Sequence, residues 1–255
     1  MGVMSNSEIK WLRSLTQKKF RDEYGVFVVE GEKMVAEAVK SGFEVERIWR
    51  TEEIGADAMA RISSLASPSP VLAVVRKPDD IRLDGNGSLA EAIGSKGLFL
   101  ALDTIRDPGN LGTIIRIADW FGIDRVFAAP DTVELFNPKV VQATMGAIFR
   151  VKFHYCDLQA LADAVADAAG HLYGTFLDGQ DIYRRQFSTG GDSPAVIVIG
   201  NESNGISPQL GARIRERLFI PPWPAGAQTS ESLNAAVATA ITVAEFRRRE
   251  AYGQQ

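Results

Sequence analysis

The chain has 255 residues with 28 Lys and Arg against 32 Asp and Glu, a net charge of −4, which excludes a general polyanion-binding surface and leaves room only for a local one. An apolar share of 45% and a charged share of 24% are those of an ordinary globular protein, long enough for one large or two modest domains. The single Cys156 precludes an intramolecular disulfide, and no apolar run nears the roughly 20 residues of a membrane span, so a cytoplasmic protein with no membrane association is expected.

In chain order, residues 5–19 read as a helix opened by Ser5, Asn6 or Ser7, with Ile9, Leu12 and Leu15 on one side. Between Glu8 and Asp22 stand five basic residues and no acid: Lys10, Arg13, Lys18, Lys19 and Arg21. Such a run is either a solvated helix face or a phosphate-contacting surface for RNA. Val26–Val29 reads as a strand, Lys33–Lys40 as a helix, Val45–Trp49 as a strand, Ala56–Leu65 as a helix and Val71–Val75 as a strand. This alternation predicts a small α/β domain over residues 1–76. Residues 77–97 are polar and hold Asp84-Gly85-Asn86-Gly87-Ser88, a linker composition. Gly85-x-Gly87-x-x-Ala90 matches a dinucleotide fingerprint by letter but follows no strand, so the linker reading is preferred.

The second domain, 98–255, opens on the stretch around which the chain is organised. Leu98–Leu102 is an apolar run of the length of a buried parallel strand. Asp107-Pro108-Gly109-Asn110 is turn chemistry, and Asn110 is read as the cap of the helix that follows. Leu111, Ile114, Ile115, Ala118 and Phe121 form one apolar helix face, with Thr113, Arg116 and Trp120 off it. A strand that turns through glycine into a helix puts its loop at the carboxyl edge of a sheet, where α/β proteins bind ligands. Strands are expected at 125–129, 148–153, 171–177, 195–199 and 218–220, with helices from Pro138 and over 158–169. The order implies a mostly parallel doubly wound sheet. Gly200 breaks the strand 196–199, and Glu202 sits in the resulting turn, either bracing the loop or bracing an active site. Ile220-Pro221-Pro222 and the following residues form a fixed crossover, followed at 235–246 by a helix rich in alanine. His154 and His171 belong to no cluster of metal ligands, and no metal is expected.

Three ordered motifs carry a family resemblance. Asn110-Leu111-Gly112-Thr113-Ile114-Ile115-Arg116 resembles the first motif, N-x-G-x-x-x-R, of the SpoU/TrmH RNA ribose 2′-O-methyltransferases, members of the SPOUT (trefoil-knot) superfamily. Gly200-Asn201-Glu202-Ser203-Asn204-Gly205 resembles the second, and Ile220-Pro221-Pro222 with Ser232-Leu233-Asn234 the third. Asn137-Pro138-Lys139 and Met145–Phe149 are similar to residues that family members carry in the same place. The resemblance implies a knotted α/β methyltransferase domain after a ribosomal-protein-like substrate-binding domain centred on Phe27–Gly31, and a homodimer. It implies S-adenosylmethionine held by Gly200, Ile220 and Leu233, with Arg116, Asn110, Glu202, Ser232 and Asn234 as catalytic residues acting on ribosomal or transfer RNA; the alternatives are a non-catalytic RNA-binding module, or base rather than ribose methylation, on the same fold. It also moves Lys10, Arg13, Lys18, Lys19 and Arg21 towards RNA contact. Two departures stand out: Ser67-Pro68-Ser69-Pro70 replaces a Gln-Gly pair frequent in the family, and the 221–231 loop is longer than the usual form.

Overall fold

The computed structural model describes residues 4–224 and 232–253, so most of the lengthened 221–231 loop lies outside the described residues. Two compact units emerge, one made of residues 1–79 and 134–150, the other of 80–133 and 151–255.

The first unit is built on an antiparallel sheet of β1 (Val26–Glu30), β2 (Val45–Arg50) and β3 (Val71–Arg76), in the order β1-β3-β2. The expected 5–19 helix is two helices, Asn6–Ser14 and Lys18–Tyr24. The break follows from side chains that compete for carbonyls: Ser14 Oγ donates to Trp11 O at 2.6 Å and Thr16 Oγ1 to Arg13 O at 2.8 Å. Ser5 caps the first helix by accepting from Glu8 N. Gly25, at φ 67°, ends the second and turns the chain into β1. Leu12, Leu15, Trp49, Met59, Leu72 and Val74 form the core on one side of this sheet.

Residues 134–150 join this unit, although the sequence division assigned them to the second domain. Their aromatic residues explain why. Phe136 lies 4.6 Å from Phe27 between ring centroids, and Phe149 packs on both Phe27 and Phe43. The strand expected at 148–153 is therefore displaced: Ala147–Phe149 is a 3-10 turn after left-handed Met145 and Gly146, and Ile148 and Phe149 are buried.

The second unit holds a six-stranded sheet in the order β6-β5-β4-β8-β7-β9, with every pairing parallel. The strands are β4 (Gly97–Leu102), β5 (Arg125–Ala128), β6 (Phe153–Tyr155), β7 (His171–Asp181), β8 (Pro194–Ile199) and β9 (Glu216–Phe219). β4 to β6 run outward in one direction and β7 to β9 lie on the other side of β4. The chain thus reverses its order between β4 and β8, the switch point at which a doubly wound sheet opens a crevice. All six residues of β8 are buried, which accounts for its unbroken apolar sequence.

The linker reading of 77–97 fails over its second half. Asn86–Ile93 is a helix, and Leu89 and Ile93, one turn apart, are buried against the Leu158–Asp167 helix in the core of this unit. Gly and Asp marked a turn there, but the two apolar residues decided the structure. The last helix, Ala235–Tyr252, runs beyond the expected end at Phe246. Its final turns are held by buried Arg249, which donates to Glu245 and to the carbonyl of Ile182 at 2.6 Å each. Among the described residues, no helix is long and apolar enough to cross a membrane.

Candidate active site

The site lies at the carboxyl edge of β4 and β8. Beyond β4 the chain enters Asp103–Asp107 and then the Pro108–Trp120 helix. The helix cap is Asp107, whose carboxylate accepts from Asn110 N at 2.8 Å, and not Asn110 as the sequence suggested. Pro108 at the first helical position explains the shift: it needs no hydrogen-bond partner and fixes φ for the helix three residues earlier. With the cap supplied by Asp107, the Asn110 side chain is released for another task.

That task is a directional chain of hydrogen bonds. Asn234 Oδ1 caps the last helix by accepting from Ala236 N at 2.9 Å and Val237 N at 3.2 Å. Its amide nitrogen then has to face outward, and it donates to Asn110 Oδ1 at 2.8 Å. Asn110 in turn donates through Nδ2 to Glu202 Oε1 at 2.7 Å. One helix N-terminus thus sets the orientation of two amides in series, and the chain ends on a carboxylate. Residues separated by 92 and 124 positions meet here, one from each of the three motifs.

The loop after β8 is closed on itself. Asn201 and Gly205 exchange two backbone hydrogen bonds of 2.9 Å, and Asn201 Oδ1 accepts from Ser203 N and Asn204 N. A Cβ on Gly200 would lie 2.3 Å from Gly205 C and from Ile206 N. Glycine is therefore required by the loop's own backbone. Asn201 Nδ2 also donates to Thr104 O at 2.7 Å, and buried Asp103 accepts from Ser207 N at 2.6 Å. These two contacts lock the β4 and β8 loops together. Sequence reasoning missed Asn201 and Asp103. Their only signal was a polar residue one or two positions after each of two apolar strands that pair in parallel.

Arg116 is exposed on the same helix as Asn110, and its side chain forms no hydrogen bond or ion pair with another described residue. Ser232 is exposed beside Asn234; Leu233 is 47% exposed, and Ile220 is half-buried just beyond β9. An exposed leucine next to an amide-lined edge offers the apolar cover an adenine ring requires, so the residues present fit S-adenosylmethionine.

In the first unit Lys10, Arg13, Lys18 and Lys19 are exposed, with Lys18 paired to Asp22 at 2.5 Å. Arg21 is not part of that surface. It is 2% exposed, donates to Leu15 O at 2.8 Å and forms an ion pair with Glu134. Its position in a basic run hid its role, because only a long-range acid reveals it. Cys156 is buried, which pushes its thiol up to about 12, and is no nucleophile. Buried His154 is lowered by desolvation; Arg125 donates to its Nε2 at 2.9 Å, so its Nδ1 hydrogen goes to Asp80 O at 2.7 Å. No group of three or more His, Cys, Asp or Glu among the described residues could hold a metal.

Residues 97–244 match the model of the SpoU rRNA Methylase family. The chain belongs to this family. Residues 6–77 match the MRM3-like substrate binding domain. Over 95% of its length the SpoU chain is 30% identical to the 23S rRNA (guanosine(2553)-2'-O)-methyltransferase RlmP of Bacillus subtilis, covering 96% of that protein. It is 25% identical to human mitochondrial rRNA methyltransferase 3, covering 91% of this chain and 70% of the relative. Among solved structures, the AdoMet-bound rRNA methyltransferase of Sinorhizobium meliloti superimposes with a TM-score of 0.84 at 28% identity, over 98% of this chain and 97% of that one. The SpoU match spans the strand β4, all three motifs and the start of the last helix, the segments that build the Glu202–Asn110–Asn234 chain.

Proposed function

We propose that this protein transfers a methyl group from S-adenosylmethionine to a ribose 2′-hydroxyl of ribosomal RNA. The observation that carries the reading is the meeting of Glu202, Asn110 and Asn234 at the switch point of a parallel sheet, with an exposed Arg116, unpaired among the described residues, on the helix of Asn110. The rRNA 2′-O-methyltransferase relative that aligns end to end supports the substrate class.

Gly200, Ile220 and Leu233 would hold the methyl donor, which supplies an electrophilic methyl on a sulfonium. No leaving-group acid is needed, so the protein's contribution is alignment. Arg116 binds the phosphate next to the target and orients the hydroxyl. A guanidinium keeps its proton at neutral pH and does not act as the base. When bound, the donor would give up its methyl carbon to the ribose oxygen, its sulfur keeping the electron pair of the broken bond, and the hydroxyl proton would leave to phosphate or water. Glu202 holds Asn110, Asn110 holds Asn234, and Ser232 lies beside the reacting hydroxyl. Residues 1–76 would engage RNA through Lys10, Arg13, Lys18 and Lys19, and residues 98–255 would carry transfer.

The same reading includes a trefoil knot, supported by the way the last helix meets residues 182–187: Arg249 donates to Ile182 O, and Phe246 stacks 4.2 Å from Phe187. It includes a homodimer, supported by Trp120 at 85% exposure and Val237 at 47% on two helices that pack together. It includes a cytoplasmic location, supported by the likeness to the Bacillus subtilis rRNA methyltransferase. The test is transfer of labelled methyl to unmodified ribosomal RNA, followed by nucleoside analysis. A 2′-O-methylated nucleoside that appears with the native protein and is lost with Arg116→Ala, cofactor binding being retained, is the expected result. A methylated base, or near-normal turnover by Arg116→Ala, would overturn the mechanism.

A further inference from the structure

We propose that Arg106 binds an RNA backbone phosphate beside the methylated nucleotide, an inference that rests on the methyltransferase reading of the site. Most arginines of the second unit are committed to a carboxylate: Arg185 to Glu216, Arg213 to Asp163, Arg217 to Asp178 and Arg249 to Glu245. Arg106 is exposed and makes no hydrogen bond or ion pair with another described residue. Arg215 is likewise exposed and without an ion pair among the described residues, but it precedes β9 and lies at the amino edge of the sheet. Arg106 follows β4 and lies at the carboxyl edge, four residues before Asn110.

The loop that carries it is fixed on both sides. Ile105 is fully buried, and its carbonyl accepts from Val133 N at 2.8 Å. Thr104, a β-branched residue at φ 62°, is held there by its hydroxyl, 3.0 and 3.1 Å from the two oxygens of Asp131, and by Asn201 at its carbonyl. On the other side Asp107 is engaged as the helix cap. Both nearby acids, Asp107 and Asp131, thus accept hydrogen bonds from the chain itself, and neither is paired with Arg106. A strained residue held by several contacts marks a position where the loop's shape matters. What that shape presents is a guanidinium on a backbone with little freedom, so binding an anion orders the side-chain torsions and not the loop. Arg106 and Arg116 bracket Asn110 in sequence, one before the helix and one within it. The chemistry they share is that of a polyanionic strand laid along the edge.

The experiment measures binding of unmodified, transcribed large-subunit ribosomal RNA to the full chain by filter retention between about 50 and 200 mM salt. Steady-state methyl transfer is followed in parallel. For Arg106→Ala we expect affinity about three- to tenfold weaker at low salt and a salt slope smaller by about 0.7–0.9, the loss of one phosphate contact. KM for RNA should rise by the same factor, with kcat at saturating RNA and the dissociation constant for S-adenosylmethionine unchanged. Arg106→Lys keeps the charge and should keep the slope. An unaltered slope for Arg106→Ala, or a fall in kcat at constant KM, overturns the proposal. Native protein that binds RNA but transfers no methyl overturns the parent reading, while the slope comparison still decides on Arg106. Native protein that fails to bind the RNA overturns both.

Discussion

Asn234 has two jobs that a pair of substitutions separates. Its Oδ1 caps the last helix through contacts of 2.9 and 3.2 Å, and its Nδ2 orients Asn110 at 2.8 Å. Asn234→Ala removes both. Loss of a cap costs about 1 kcal/mol, and loss of one partly exposed side-chain hydrogen bond about 1 kcal/mol more. For a chain of this length the sum of about 2 kcal/mol lowers Tm by about 4–8 °C. Asn234→Asp keeps an acceptor at the helix N-terminus, where a negative charge is favourable, so its Tm should fall by no more than about half as much. It cannot donate to Asn110, however. The Asn110 amide would turn to donate to the new carboxylate and set its own carbonyl oxygen against Glu202, reversing the chain of hydrogen bonds. Methyl transfer should drop by about tenfold or more in both variants. Thermal unfolding and single-turnover methyl transfer, measured on the same preparations, give the comparison. An aspartate variant as unstable as the alanine one, or one that turns over normally, would refute the reasoning.

The remaining predictions concern the frame of the two units. Arg21→Ala leaves Glu134 paired only with Lys77, at 3.3 Å, and should cost about 1–3 kcal/mol, read as a loss of urea midpoint, whereas Arg13→Ala should change it by under about 0.5 kcal/mol. Gly200→Ala places a Cβ against the Gly205–Ile206 backbone; it should cost about 1–3 kcal/mol and reduce cofactor affinity, as titration calorimetry would report. His154 is held below its ordinary 6.5 by burial, so the unfolded chain takes up the proton first as pH falls. Its contribution is complete above about 6.5 and is lost as pH drops from there to the folded value, at a slope of at most about 1.4 kcal/mol per pH unit. Urea titrations at pH 7.5 and 5.5 should show this difference in the native protein and a smaller one in His154→Gln.

The three motifs were legible because each is local: a turn, a glycine break and a proline crossover announce themselves within a few residues. The doubly wound sheet was legible because β4 and β8 are apolar from end to end, which only two-sided burial explains. What stayed hidden depends on distant partners. Arg21 reads as surface charge until Glu134 is brought to it from 113 positions away. Residues 134–150 read as part of the second domain until Phe136 and Phe149 are seen against Phe27. Leu89 and Ile93 looked like linker because two apolar positions in a polar stretch give too weak a periodicity to register. In the site, Asn110 was assigned the nearest backbone task, and the true cap three residues earlier was visible only once the helix start at Pro108 was known.

The last helix bears on how this protein is made. Arg247 donates to Phe121 O at 2.8 Å, and Arg249 reaches Ile182 O near the far end of the helix that Asn234 opens. A nascent chain that has emerged only as far as Phe246 contains every motif and lacks both anchors. The helix that Asn234 opens is therefore tied at its far end by residues that leave the ribosome after every residue of the site has been made.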